Sequence, residues 1–178
     1  MPTIMSHAVV PLAAAVAMGR TRISMPVIVT AMVLAMVPDA DVLGFKLGVK
    51  YADTWGHRGA THSIIFAAFV AAIVTAAVHP VRWRLVWPYL FAAMASHGLL
   101  DMMTNGGLGA AILWPFSNER YFATVQPIRV SPIGAAFFSD RARVVMLSEL
   151  RMIWVPAIIT GLSGWELRKY FGRAQKLA

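Results

Sequence analysis

Apolar residues gather in five runs along the chain, approximately 8–19, 23–38, 64–79, 85–100 and 144–165, separated by short polar or proline-containing breaks. Run 64–79 (IIFAAFVAAIVTAAVH) is apolar on every side. It has no polar stripe to meet water, which separates a membrane helix from a helix on a soluble bundle. Several runs fall short of the roughly 20 residues that a perpendicular helix uses to cross the hydrocarbon core, so some helices must begin or end within the membrane or at its interface. Segment 105–116 (NGGLGAAILWPF) opens Gly-rich and closes on Trp-Pro, which predicts a re-entrant or interfacial piece. Residues 117–143 are mostly polar or broken by Pro127 and Pro132, and read as a surface or cap loop, while 166–178 form a basic C-terminal tail. The opening MPTIMSHAVVPLAAAVAMGR lacks the basic region that precedes the apolar stretch of a secretory signal, and reads as a retained first helix. No repeat or soluble linker divides residues 1–178. The expected fold is therefore all-α: one polytopic membrane bundle of about five short helices, with a re-entrant or interfacial segment and a cap loop.

Composition agrees, since a chain of 178 residues that is 58% hydrophobic and 13% charged departs from the usual shares of soluble domains. The net charge of +8 raises nucleic acid as a partner, but the 16 Lys and Arg are scattered between apolar runs. Such charges orient helices and meet anionic lipid headgroups, so a lipid or lipid-linked partner is expected and a nucleic acid is not. There is no cysteine. Disulfides and thiolate metal sites are thereby excluded, and any metal must bind histidine, carboxylate, backbone oxygen or water. The eleven methionines need only be packing residues.

Following the polar residues through the helical order gives the strongest inference. His7 opens the first run, and Arg20 and Arg22 sit in the turn to the second, which ends at Pro38-Asp39-Ala40-Asp41. A loop then leads through Gly56-His57-Arg58-Gly59-Ala60-Thr61-His62-Ser63 into the third run, which ends near Arg82 and Arg84. The fourth run returns to Ser96-His97-Gly98-Leu99-Leu100-Asp101. By alternation His7, Asp39, Asp41, His57, His62, His97 and Asp101 share one membrane face, and the four arginines share the other.

Ionisable side chains near hydrocarbon cost a few kcal/mol each on insertion scales, so gathering several is favoured only if they pair or share a cation. A divalent metal supplies that charge, and histidine with carboxylate suits zinc, manganese or iron. His97 and Asp101 are four apart, on one helix face. Asp39 and Asp41 follow a helix-ending proline, where an extended turn either aims both inward or sends one to orient a histidine. Each residue also has a plainer reading. His7 can sit at the interface, Asp39 can be a turn residue, Arg58 can snorkel, and Thr61 and Ser63 can cap the third helix. His79 lies beside Pro80 at the arginine-rich end and is left out of the site.

At His7, PDAD (38–41), HRGATHS (57–63), SHGLLDMMTNGG (96–107) and WPFSNERYF (114–122), the chain resembles the YdjM-like, LexA-regulated family of membrane-bound metal-dependent hydrolases. The likeness covers most of residues 6–133. It implies His7, Asp39, Asp41, His57, His62, His97 and Asp101 as a metal site flanked by Arg58, Thr61 and Ser63. The expected function is hydrolysis of a phosphoester or related bond in a lipid or membrane-associated substrate by metal-activated water. Asp39 or Asp41 would serve as general base, and Arg58 and Arg120 would neutralise an anionic headgroup. Intramembrane acids and histidines also mark transport pathways, and a closed structural metal site is a third reading. The positive-inside bias of Arg20, Arg22, Arg82, Arg84 and the basic tail puts those ends in the cytoplasm and the cluster on the outer face of a bacterial inner membrane; Lys46, Lys50 and Arg58 on the cluster side and Arg120, Arg129, Arg141 and Arg143 in the cap loop stand against it, so the charge difference is small.

Overall fold

Long alanine- and valine-rich runs with few breakers form helices, and their ends fall where glycine, proline or a charge pair interrupts the pattern. In a computed structural model, described for residues 1–78, 80–132 and 134–177, the helices are α1 (Ile4–Met18), α2 (Met25–Met36), α3 (Ile64–Val78), α4 (Trp83–Met102), α5 (Arg141–Glu149) and α6 (Val155–Leu177). His79, which the sequence sets apart from the site, lies outside the described residues. Helix α2 runs directly into 3-10 turns over Val37–Leu47, and a further 3-10 turn, Ala60–His62, precedes α3. A π-helical turn, Leu150–Trp154, carries α5 into α6. The result is all-helical, with no strand among the described residues. Isolated bridges Thr104–Ile128 and Ala110–Tyr121 tie the irregular chain after α4 together.

Two stretches, Met25–Leu47 and Arg141–Arg173, are long and apolar enough to cross a bilayer. Helices α1 and α3 have 15 residues each, ~22 Å at 1.5 Å per residue against a hydrocarbon core of ~30 Å. Their outward faces are apolar nonetheless: Phe69 and Ile73 on α3 are 62% and 53% exposed, and Ile158 and Ile159 on α6 are 51% and 59% exposed. That surface suits lipid and not water. Inside the bundle, Ala31, Leu34, Ala71, Leu90, Ala93 and Met94 form one core, small residues letting the helices approach closely.

The last helix is longer than the apolar run 144–165 that predicts it. With α5 and the π-helical turn that lead into it, the helical stretch starts at Arg141, inside the expected cap loop, and continues through the basic tail to Leu177. Hydropathy ends the run at Trp165, but the tail consists largely of good helix formers and packs back on α1. Arg168 Nη1 donates to the carbonyl oxygens of Val16 and Ala17 at 3.1 and 2.5 Å, placing a cation at the helix C-terminus, where the dipole favours one. Helices α1 and α6 run parallel, with Trp154 Nε1 donating to Ser6 Oγ at one end and Gly164 against Ala17 towards the other. The basic tail therefore lies at the same end as Arg20 and Arg22.

Segment 105–116 is not helical. It folds back under the loop that carries His57, through Ala111 N to Arg58 O and Ile64 N to Ile112 O, and stays at that end of the bundle.

A Cβ built on Gly164 would lie 2.5 Å from Ala17 Cβ, whereas one on Gly172 meets nothing within 4 Å. Gly164→Leu should therefore separate α6 from α1 and cost roughly 1–3 kcal/mol, the usual range for overpacking. Thermal unfolding of the detergent-solubilised protein should show a clear fall in midpoint for Gly164→Leu and none for Gly172→Leu; equal midpoints would exclude this close approach.

Candidate metal centre

Four helix ends deliver the site. His7 comes from the first turn of α1, Asp39 and Asp41 from the 3-10 turns that follow α2, His62 from the turn that opens α3, and His97 and Asp101 from the last two turns of α4. The 3-10 geometry after α2 begins at Val37-Pro38, where proline both lacks an amide hydrogen and disfavours α-helix at the residue before it. Gly98 allows the remaining approach. A Cβ there would sit 2.3 Å from His62 O, so only glycine lets the His62 turn lie against α4 beside His97.

His7, Asp39, His57, Arg58, His62, His97 and Asp101 are all buried. His62 Nε2 lies 3.0 Å from His97 Nε2 and 3.2 Å from Asp101 Oδ2. His97 Nε2 lies 3.3 Å from Asp39 Oδ1. Asp39, His62, His97 and Asp101 each offer one ligand atom, and these atoms lie within 4.8 Å of one another. The His7 ring stacks on that of His97 with centroids 3.7 Å apart, and its Nε2 is 3.8 Å from Asp101 Oδ1.

Hydrogen bonds fix how the imidazoles face. His97 Nδ1 is 2.7 Å from Ala35 O; a carbonyl only accepts, so Nδ1 carries the hydrogen and Nε2 presents a lone pair inward. His62 Nδ1 is 3.0 Å from Thr61 Oγ1 and 3.3 Å from Asp41 Oδ2. The Thr61 hydroxyl itself donates to Asp41 Oδ2 at 2.8 Å, which leaves its oxygen to accept from His62 Nδ1. Both Nε2 atoms thus point at one spot, and two lone pairs 3.0 Å apart repel unless a cation lies between them. A proton is one such cation: burial works against charge on His62, but hydrogen bonds to Asp101 and Asp41 outweigh it and raise the imidazole to about 9. A metal is the other. Both oxygens of Asp39, Asp101 Oδ1 and both nitrogens of His7 are buried with no hydrogen-bond partner, and Asp101 Oδ2 meets Arg58 Nε and His62 Nε2, a set of donors that fits a divalent ion.

Asp41 occupies a different place from Asp39. Its Oδ1 accepts from His57 Nδ1 at 2.7 Å, and its Oδ2 accepts from Arg58 N at 3.2 Å as well as from Thr61. It joins the two histidines of the HRGATHS motif, the carboxylate–histidine arrangement that orients metal ligands. His57 belongs with Asp41 and His62 in a second, adjoining group.

The structure redirects several flanking residues. Arg58 is fully buried in a left-handed conformation, φ 65°. Its Nε is 3.1 Å from Asp101 Oδ2, Nη1 donates to Gly106 O at 2.8 Å and Nη2 donates to Thr104 Oγ1 at 2.9 Å. Fully buried and turned onto Asp101, Gly106 and Thr104 in this way, it has no face left for a headgroup. Arg120 likewise clamps loop carbonyls, donating to His57 O at 2.6 Å and to Tyr51 O and Asp53 O at 2.9 Å. Ser63 takes the capping role, its Oγ accepting from Phe66 N at 3.1 Å, and Thr61 bridges Asp41 and His62. Sequence reasoning missed Thr104, which holds Arg58, and Glu149, a buried carboxylate that accepts from Thr3 N, Thr3 Oγ1 and Ser6 Oγ. The signal for Glu149 was present: it is an acid inside the apolar run 144–165.

With this geometry in view, the comparisons with known proteins place the chain. The model of the YdjM inner membrane protein family matches residues 1–170. The chain is also similar to the inner membrane protein YbcI of Escherichia coli (strain K12), with 39% identity over 175 residues, 94% of this chain and 100% of that protein. No solved structure matches. A family match over nearly the whole chain, beside a relative aligned from end to end, shows that this chain belongs to the YdjM inner membrane protein family.

Proposed function

We propose that this inner membrane protein is a metal-dependent hydrolase, acting on a phosphoester or related bond of a lipid or other membrane-associated substrate. The observation that carries the reading is the convergence of His62 Nε2 and His97 Nε2, 3.0 Å apart, on the buried carboxylates of Asp39 and Asp101. Asp39, His62, His97 and Asp101 would hold the ion, zinc by preference, with manganese or iron compatible with the same donors. A divalent metal supplies Lewis acidity and lowers the pKa of water towards neutrality. The chain's own residues prepare the site. Ala35 O and the Asp41–Thr61 pair lock the two histidines with Nε2 inward. Arg58 holds Asp101, and the bundle excludes bulk water. Asp41, accepting from His57, Arg58 N and Thr61, orients the two histidines of the HRGATHS motif, while Asp39 is committed to the ion.

His62→Ala and His97→Ala should each lose most bound metal yet insert normally, because the apolar helix faces are unchanged. Elemental analysis of the purified variants tests this, and full occupancy in both would remove the ligand assignment. Asp39→Asn should lower metal content as a ligand loss. Asp41→Asn should weaken metal affinity about 10–100-fold, the usual effect of losing an orienting partner, and lower turnover even when metal is restored in excess. Wild-type metal affinity and activity in both aspartate variants would sink the carboxylate roles.

The positive-inside bias supports an outward-facing site. Arg20, Arg22, Arg82, Arg84 and Arg168 lie at the end opposite the cluster, and Arg58, buried against Asp101, drops out of the opposing count. Lys50 and Arg82 are both exposed. In this cysteine-free chain, single cysteines at Lys50 and Arg82 can be probed in intact cells with a membrane-impermeant thiol reagent. Labelling at position 50 and not at 82 is expected; the reverse would place the cluster on the cytoplasmic face.

A further inference from the structure

Beside the His/Asp cluster lies a cavity of about 260 Å³, with His57 and Tyr51 in its wall and Arg141 on another side. His57 is the link to the metal centre: its Nδ1 is bonded to Asp41, and its other ring nitrogen has no partner among the described residues. Gly107 also lines the cavity, in a left-handed conformation (φ 86°). A Cβ there would lie 2.8 Å from Tyr51 Oη and 3.0 Å from Arg58 Nη1, so glycine lets this backbone lie close against both side chains. No carboxylate is among the lining residues.

The cations near this cavity differ in what they are free to do. Arg58 is paired with Asp101, Gly106 and Thr104, and Arg120 with three backbone carbonyls. Arg141 is exposed, and its guanidinium has no hydrogen bond or ion pair among the described residues, the adjacent Asp140 included. A guanidinium with its fork open, on the wall of a cavity that also exposes an imidazole edge, is suited to bidentate capture of an oxyanion.

We propose that the cavity between His57 and Arg141 is a docking site for a phosphate group, which Arg141 holds beside the metal centre. This deepens the hydrolase reading and rests on it for the reaction that follows docking, though the docking itself does not need metal. It moves anion recognition from Arg58 and Arg120 to a residue on the first turn of α5.

The test uses the full chain in detergent micelles, titrated by calorimetry with inorganic phosphate and, separately, with dihexanoyl phosphatidic acid. Saturable binding is expected, weakened about tenfold or more in Arg141→Ala, the effect of losing a charge-assisted hydrogen bond. Arg141→Lys should recover part of it, since lysine binds phosphate as a point charge without the fork. Arg143→Ala, which removes a like charge two residues away but off the cavity, should bind as the parent does. Tighter binding of the lipid than of inorganic phosphate assigns the site to a headgroup; otherwise it is a site for free phosphate. Parent-like affinity in Arg141→Ala, or no saturable binding of either probe, overturns the proposal. Metal content measured on the same samples separates the two readings: Arg141-dependent binding in a protein that takes up no metal would leave the docking site standing and remove the hydrolase.

Discussion

The structure depends on charge compensation at one end of an apolar bundle. Asp39, Asp101, His7, His62 and His97 are buried together, and removing carboxylates from water costs several kcal/mol per ion unless an opposite charge and hydrogen bonds meet them. Arg58 supplies one positive charge to Asp101, and a cation held between the two Nε2 atoms would supply another. Nearly every irregular piece of the chain serves this compensation. The loop after Leu47 exists to bring Arg58 and His57 over the cluster, and the segment after α4 provides Thr104 and Gly106 to hold the guanidinium in place. The left-handed backbone at Arg58 is strained for a residue with a side chain. It persists because the ion pair and two hydrogen bonds over-determine it.

The helices and the convergence of the site were legible for one reason: in a membrane protein, alternation of crossings converts sequence order directly into side. His7, Asp39, Asp41, His57, His62, His97 and Asp101 could be assigned to one face from nothing more than the order of apolar runs. Spacing added the pairing of His97 with Asp101 along α4. What spacing left open was the division of labour between Asp39 and Asp41. Two residues apart on a 3-10 turn, they point to different neighbours, one to His97 and the other to His57 and Thr61. Of the two outcomes that the PDAD spacing left open, the 3-10 turn, with its three-residue period, produces the one in which a single aspartate orients a histidine.

The failures have a common cause as well. Arg58 and Arg120 read as free cations because sequence shows charge and not the carbonyls and carboxylate that consume it. Glu149 read as part of an apolar run because its partners, Thr3 and Ser6, lie 146 and 143 residues away. The end of the last helix was misplaced because hydropathy measures the membrane's preference, while the helix beyond Trp165 is held by propensity and by Arg168 on the α1 carbonyls.

The short helices also bear on how the proposed substrate would reach the site. At 15 residues, α1 and α3 cannot span the hydrocarbon core upright, so the His/Asp end of the bundle is completed by non-helical backbone. Such backbone is tolerated at membrane depth only where protein satisfies its polar groups. Ala111 N to Arg58 O ties the segment after α4 to the one after α2, and Asn105 N to Ile128 O and the paired bonds of Ala110 with Tyr121 satisfy the segment after α4 within itself. A cover built this way cannot open widely without exposing those groups to lipid. The proposed substrate would therefore have to reach the buried cluster along an existing opening rather than by unfolding of the cover, and of the cluster's residues the cavity beside Arg141 touches His57. A substrate anchored in the bilayer would then present its polar group sideways at the interface, where the tail stays in lipid and only the headgroup has to leave water.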